Sequence, residues 1–303
     1  MIPNALTIDV EEHFQVSAFN ASVERERWDE QASRVEANTR RVLDLFDRHG
    51  RKGTFFLLGW VVERYPALAR DVVARGHEVA CHGYSHQLIY SQTPELFAEE
   101  TRRSRELIEQ AAQVKVRGYR AASFSITDAS RWALDVLVDA GFEYDSSMYP
   151  VKHDLYGIDV AARGPHRVQA PNGGSIIEFP MTTCPIAGMS VPVSGGGYFR
   201  LYPYSLTRTL LSRVNAAGEP FVFYLHPWEI DPDQPRIAAG WKSRFRHYTN
   251  LRSCETKLAR LLGDFEFAPM RDVIAAYVRQ REPSMAHGPA AESTRSGRVT
   301  RAP

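Results

Sequence analysis

GTFFLLGWVVERYPALARDVVARGHEVACHGYSH, residues 53–86, reads as a strand, a helix and a second strand that ends on two histidines. GTFFLLGW is an apolar run punctuated by Gly53 and Gly59, the pattern of a strand buried on both faces. VVERYPALARDVVARG continues as a helix, broken near Pro66 because proline has no amide donor, and ended by Gly76. HEVACH is the next strand. Strands joined through a helix lie parallel, so the segment predicts an α/β fold. His82 and His86 stand four positions apart, the spacing that places two side chains on one face of a helical turn. Neutral imidazole is a common ligand for zinc-like ions, and sites in α/β sheets gather at the carboxyl ends of strands. Such a pair also arises by chance, so the chemistry depends on a third ligand.

Working outward, the same alternation repeats on both sides. ALTIDV (5–10) is a first strand interrupted by Asp9 and followed at once by Glu11, Glu12 and His13, a charged rim. Residues 34–49 carry Val35, Val42, Leu45 and Phe46 at helical spacing and stop at Gly50. Downstream, residues 93–113 form a helix with Thr93 as N-cap and Pro94 in its first position. VRGYRAASFSI is strand plus loop, SRWALDVLVDAGF a helix ended by Gly141, and EYDSSMYP a strand end bearing Asp145. Residues 151–200 change character: HRVQAP and GSIIEFPMT predict hairpins inserted in or laid over the main architecture, and GGG (195–197) reads as a flexible loop. SLTRTLLSRVNAAG resumes a helix, and PFVFYLHPWEI is a strand terminating in His226. RFRHYTN reads as a solvated basic loop, followed by a helix and by a last amphipathic helix in APMRDVIAAYVRQR. The expected division is one catalytic unit over residues 1–281 and a disordered tail over 282–303, where large apolar residues are few.

Composition bounds the function. A chain of 303 residues that is 44% hydrophobic can build a sizeable core, and a formal charge of +1 argues against a dedicated nucleic-acid binder. No run reaches the length of a membrane span, and no opening stretch reads as a signal peptide; a cytoplasmic protein, with a place at the inner face of the membrane left open, is the expectation. Cys81, Cys184 and Cys254 are odd in number and far apart, which points to a reducing compartment rather than a disulfide framework.

Five strand ends therefore present Asp9 with Glu11, His82 with His86, Arg120, Asp145 and His226. Taken singly, each has a plainer explanation: an ion-pair arginine, an aspartate capping the DSS turn, a core histidine. In their order TIDVEEHF, HGYSH, RGYRAASF, YDSS and FYLHPWE, the chain resembles the polysaccharide deacetylase family, carbohydrate esterase family 4. With GGGYFR, LHPWEID and SRFRHYTNL added, it is similar to the subgroup associated with exosortase-linked exopolysaccharide loci, a part covering about residues 195–281. The resemblance implies a distorted (β/α) barrel with inserted β-hairpins and a C-terminal helical extension. It implies Asp9 as general base, Glu11, His82 and His86 as ligands of a divalent metal, Zn2+ or Co2+, and Arg120 orienting Asp9. His226 becomes the general acid, with Asp145 as its partner. It further implies a hydrolase removing N-acetyl groups from an acetylated polysaccharide or oligosaccharide, associated with exopolysaccharide synthesis machinery.

Two positions depart from the family pattern. The second carboxylate stands at Glu11 rather than next to Asp9, with Glu12 as a rival; along a strand Asp9 and Glu11 share a side and Glu12 does not. Ala122 replaces the usual proline in the loop presenting Arg120. Two other functions stay open at this point: an allantoinase-like amidohydrolase acting on a small cyclic amide without metal, and a non-catalytic carbohydrate-binding or scaffold protein of an export locus.

Overall fold

A computed structural model of the chain describes residues 2–151, 157–158 and 162–285. The first strand, β1 (Asn4–Val10), is buried along its whole length. It is followed by α1 (Val35–Arg48), β2 (Thr54–Leu57), α2 (Gly59–Arg64), α3 (Pro66–Ala74) and β3 (Glu78–Cys81). The helix predicted between the two strands of the opening segment is indeed divided at Pro66, which starts α3. Next come α4 (Pro94–Ala112), β4 (Gly118–Tyr119), α5 (Ala133–Asp139) and β5 (Tyr144–Asp145). The hydroxyl of Thr93 accepts from the amide of Leu96 at 3.3 Å and caps α4 as the sequence predicts.

These strands pair in parallel, β1 to β2 to β3 to β4 to β5. Of the two placements expected for the hairpin region, inserted or overlaid, the first hairpin takes the inserted one. β6 (His166–Gln169) and β7 (Ser175–Glu178) pair antiparallel, but β7 also pairs parallel to β5, so the hairpin extends the main sheet instead of lying over it. Among the described residues only β8 (Thr183–Ile186) and β9 (Met189–Pro192) form a separate two-stranded ribbon. The glycine run is also not a loose loop: Gly196 opens α6 (Gly196–Leu201). Gly195 has φ +131° and bridges to Tyr224, and a Cβ there would collide with the Tyr224 carbonyl oxygen, so glycine is demanded by close backbone approach.

After α7 (Tyr204–Ala216), β10 (Val222–Leu225) returns to pair with β1 on the side away from β2. The basic stretch predicted as a loop forms α8 (Trp241–Tyr248), followed by α9 (Leu251–Asp264). β11 (Phe267–Ala268) pairs with the start of β1, and α10 (Met270–Met285) follows. The predicted disordered tail lies outside the described residues from 286 onward.

The sheet is curled, and strand alternation divides the core into two bodies. Leu6, Ile8, Val10, Phe55 and Leu57 pack outward beneath the helices. Ala5, Phe56, Ala80, Tyr144, Val222 and Tyr224 pack together on the inner face. Because side chains alternate along a strand, the residues in step with this inner set, Thr7 and Asp9 on β1, His82 after β3 and His226 after β10, are aimed inward at the strand ends. Among the described residues no helix is long and apolar enough to cross a membrane.

Candidate active site

At the carboxyl ends of these strands lies a cavity of about 220 Å³, lined among others by Asp9, Glu11, His82, His86, Phe124, Tyr224, His226 and Trp228. Glu11, His82 and His86 each offer one donor atom, and the three atoms lie within 4.8 Å of one another. Glu11 Oε2 is 2.7 Å from His86 Nε2, yet it is buried with no aligned hydrogen-bond donor. His82 Nδ1 is 2.9 Å from the carbonyl oxygen of Arg120. A carbonyl can only accept, so Nδ1 carries the proton and Nε2 keeps its lone pair, as a ligating histidine with an outer partner does. Burial above all lowers the His82 pKa to about 4, so the ring is neutral near pH 7. Burial alone would raise the Glu11 carboxyl, but the facing rings of His86 and His226 outweigh it and hold it well below the usual range. Two imidazoles and one ionised carboxylate with an unpartnered oxygen fit a divalent cation bound by nitrogen and oxygen donors.

The two histidines converge by another route than the helical turn expected. Residues 82–88 are irregular, with a bend at Tyr84 and Ser85, and His86 sits in the left-handed region at φ 51°. That backbone conformation, costly for a residue other than glycine, turns the His86 ring back toward Glu11.

Arg120 is fully buried and reaches across the inner face. One of its terminal nitrogens donates to Asp9 Oδ1 and to Thr7 Oγ1, both at 2.7 Å, while Nε donates to the Ser146 carbonyl at 3.1 Å and the other terminal nitrogen to Ser146 Oγ at 3.0 Å. Its guanidinium lies 4.1 Å from the Phe56 ring centroid. A planar group held at so many points fixes the Asp9 carboxylate in one orientation. Ala122, in the family's proline position, is buried; its carbonyl accepts from Ser125 Oγ at 2.6 Å, and Ala121 N–H donates to Ser147 Oγ at 2.8 Å, so the loop is tied down without proline.

His226 Nε2 faces Glu11 Oε1 at 3.6 Å. Its Nδ1 partner is not the expected Asp145 but Glu229, whose Oε1 lies 2.8 Å away and also accepts the His226 amide at 3.1 Å. Burial lowers the His226 pKa, but Glu11 and then Glu229 overcome it and raise it to about 9. Arg200, also buried, donates to the other oxygen of Glu229 at 2.6 Å and to the carbonyls of Arg246, His247 and Thr249. Trp228 stacks on His226 with ring centroids 5.0 Å apart and donates from Nε1 to Glu11 Oε1 at 3.2 Å. Asp145 is kept away by alternation: Tyr144 takes the inner face, and Asp145 points to the other side with its register neighbour Glu178. Glu12, the rival ligand, caps α1 by accepting from the amides of Arg34 and Val35, at 2.9 Å and 3.1 Å, and from Ser33 Oγ.

Sequence reasoning missed Glu229 and Arg200. Glu229 carried a signal, since an acid three residues after a strand end, with proline between, can reach back to the starting amide as in a capping box. Arg200 lies in a quoted motif, but nothing local shows that it meets residue 229.

Residues 27–144 match the family model described as polysaccharide deacetylase, and residues 146–275 match a domain of unknown function, DUF3473. A peptidoglycan deacetylase of Helicobacter pylori is 29% identical over 113 residues, 37% of this chain and 38% of that protein. A chitooligosaccharide deacetylase of a Bradyrhizobium species is 32% identical over 96 residues, 32% of this chain and 42% of that protein. The chain thus matches less than half the length of these relatives. A crystallised Mycobacterium smegmatis protein assigned to the polysaccharide deacetylases shares the fold, with a TM-score of 0.59 at 20% identity over 92% of this chain and 90% of the other.

Proposed function

Because the chain belongs to the polysaccharide deacetylase family, we propose that its cavity hydrolyses the N-acetyl group of an amino-sugar unit in an exopolysaccharide or its precursor. Acetate and a free amine are the products. The observation that carries this reading is the convergence of Glu11, His82 and His86 beside Asp9 and His226 in one cavity. A divalent cation held by Glu11, His82 and His86, Zn2+ or Co2+, would polarise the acetyl carbonyl and lower the pKa of a water toward about 7. Asp9, its Oδ1 engaged by Arg120, takes the proton of the attacking water on Oδ2. As the new carbon–oxygen bond forms and the carbon–nitrogen bond breaks, protonated His226 delivers its Nε2 proton to the departing nitrogen. Glu229 holds the His226 ring from Nδ1 and favours the charged form.

The catalytic unit spans both matched segments: Asp9 and Glu11 precede residue 27, and His226 lies in the DUF3473 stretch. A metal-free enzyme for a small cyclic amide has no use for three convergent donors. A silent binding module has none for the Arg120–Asp9 and Glu229–His226 pairs. Association with synthesis machinery at the inner membrane face belongs to the same proposal. The test is metal content of the purified protein together with acetate release from acetylated chitooligosaccharides and polymers, for wild type and His82→Ala. Wild type is expected to keep roughly one ion per chain and release acetate, and the variant to lose both. A wild-type protein that holds stoichiometric metal yet frees no acetate from any acetylated polymer, the native one included, ends the deacetylase reading.

A further inference from the structure

The wall of the active-site cavity includes a charged residue that the chemistry above does not use, Arg246 on α8. It is exposed, and among the described residues no carboxylate lies within 4 Å of its guanidinium, nor of Lys242 or Arg244 on the same helix. Elsewhere on the surface arginines are commonly neutralised by acids, as Arg64 is by Asp29 and Arg117 by Glu143. Lys242 and Arg246 stand at i and i+4 and so share one face of α8. That face is distinct from the one bearing His247, which is buried and stacked on Trp228 at 4.1 Å. The helix is therefore anchored by its His247 side; of Lys242, Arg244 and Arg246, it is Arg246 that lines the cavity, while Lys242 Nζ lies 5.8 Å from the Trp241 ring centroid.

We propose that Arg246, with Lys242 one turn before it, forms a subsite for an oxyanion carried by the sugar next to the acetamido unit, so that the substrate is an anionic glycan. The inference rests on the deacetylase reading for the identity of that unit. A guanidinium fork matches a carboxylate or a phosphate equally well, so a uronate and a phosphorylated sugar are the two sources of this chemistry. The two acids deeper in the cavity do not repel such a chain, because Asp9 is paired with Arg120 and Glu11 faces three imidazoles. Trp241 and Phe245, 74% and 54% exposed on the outer side of α8, offer ring faces against which further sugars stack. An anionic lipid surface also suits aromatic and basic side chains, but Arg246 belongs to the cavity wall, where a substituent of the substrate reaches it.

Equilibrium binding of three tetrasaccharides decides the matter: a neutral N-acetylglucosamine chain, one alternating N-acetylglucosamine with glucuronate, and a 6-phosphorylated chain. At low salt the wild-type protein is expected to bind at least one anionic chain about threefold tighter or better than the neutral one, as one or two exposed charge pairs provide. The ratio is expected to shrink with added salt, to approach unity in Lys242→Gln/Arg246→Gln, and to return in part with Arg246→Lys. Which anionic chain shows the preference identifies the source. Equal affinities in the wild type, or a ratio that survives the double substitution, overturn the proposal. So does binding to vesicles of phosphatidylcholine and phosphatidylglycerol that depends on Trp241 and Phe245 while the sugars are not distinguished. Absence of acetate release with the affinity ratio intact would remove the deacetylase reading and leave the oxyanion subsite supported.

Discussion

Glu11 at the cavity and the Asp145–Glu178 pair behind it are all fully buried carboxyls, and their surroundings drive them in opposite directions. Glu11 faces the rings of His82, His86 and His226 and is held ionised. Asp145 and Glu178 sit side by side in register on β5 and β7; burial raises both, the Asp145 charge raises Glu178 further, and the hydrogen bond from Glu178 only partly offsets the rise at Asp145. The pair therefore retains a proton near neutral pH as a unit. Ser147 Oγ donates to Asp145 at 2.5 Å and the Met148 amide to Glu178 at 3.0 Å, enough to hold the two in place but not to ionise both. Desolvation is common to the two regions, so it is the facing groups that decide which carboxyl carries charge. One region is suited to holding a cation, and the other fastens strands.

The contrast breaks most easily at Asp9, which is buried like the others but tied to Arg120. Asp9→Asn removes a proton acceptor without removing a metal-directed donor, so kcat is expected to fall about 10²- to 10⁴-fold while metal content stays at the wild-type level. A variant that instead sheds its metal would make Asp9 a ligand and not a base. A smaller effect is expected from Glu229→Gln. As the proposed acid, His226 works only while protonated, so its titration limits the rate on the alkaline side, and Glu229 at Nδ1 is one of the groups that hold its pKa up. Without the Glu229 charge that pKa falls, so the alkaline limb of kcat/KM moves down by roughly one pH unit or more. An unmoved limb would show that Glu229 does not tune His226.

The smallest effect concerns the carboxyl pair. Carboxyls whose pKa values are raised on folding bind more protons in the native state than in the unfolded one. Their contribution is complete below the unfolded pKa of about 4 and is lost as pH climbs through the folded values. Glu178→Gln cannot ionise, so its Tm is expected to exceed that of the wild type by a few degrees at pH 9 and to lie close to it at pH 5.5. A difference independent of pH would mean that the pair shares no proton.

Much of the site was legible from residue order because a strand records its own alternation. Asp9 and Glu11 could be placed on one side of β1 and Glu12 on the other, and the structure has Glu12 capping α1. His82, Arg120 and His226 could likewise be assigned to strand ends, and all three stand on the inner face. The same alternation, applied to β5, would have turned Asp145 away once Tyr144 was known to face inward. That could not be known, because a strand of two residues flanked by apolar positions does not say which of its faces is the inner one.

The amino-acid order by itself determined the alternation of strands and helices, the division of the helix at Pro66, the cap at Thr93 and the polar residues at the strand ends, since each follows from backbone and side-chain periodicity within a few residues. Only the tertiary structure decided that β7 joins β5, that Arg200 meets Glu229, that Glu229 rather than Asp145 holds His226, and that Arg246 stands in the cavity wall. These are meetings of side chains that lie on different elements or on undetermined faces, and the curl of the sheet, which no local pattern encodes, sets which of them come within reach.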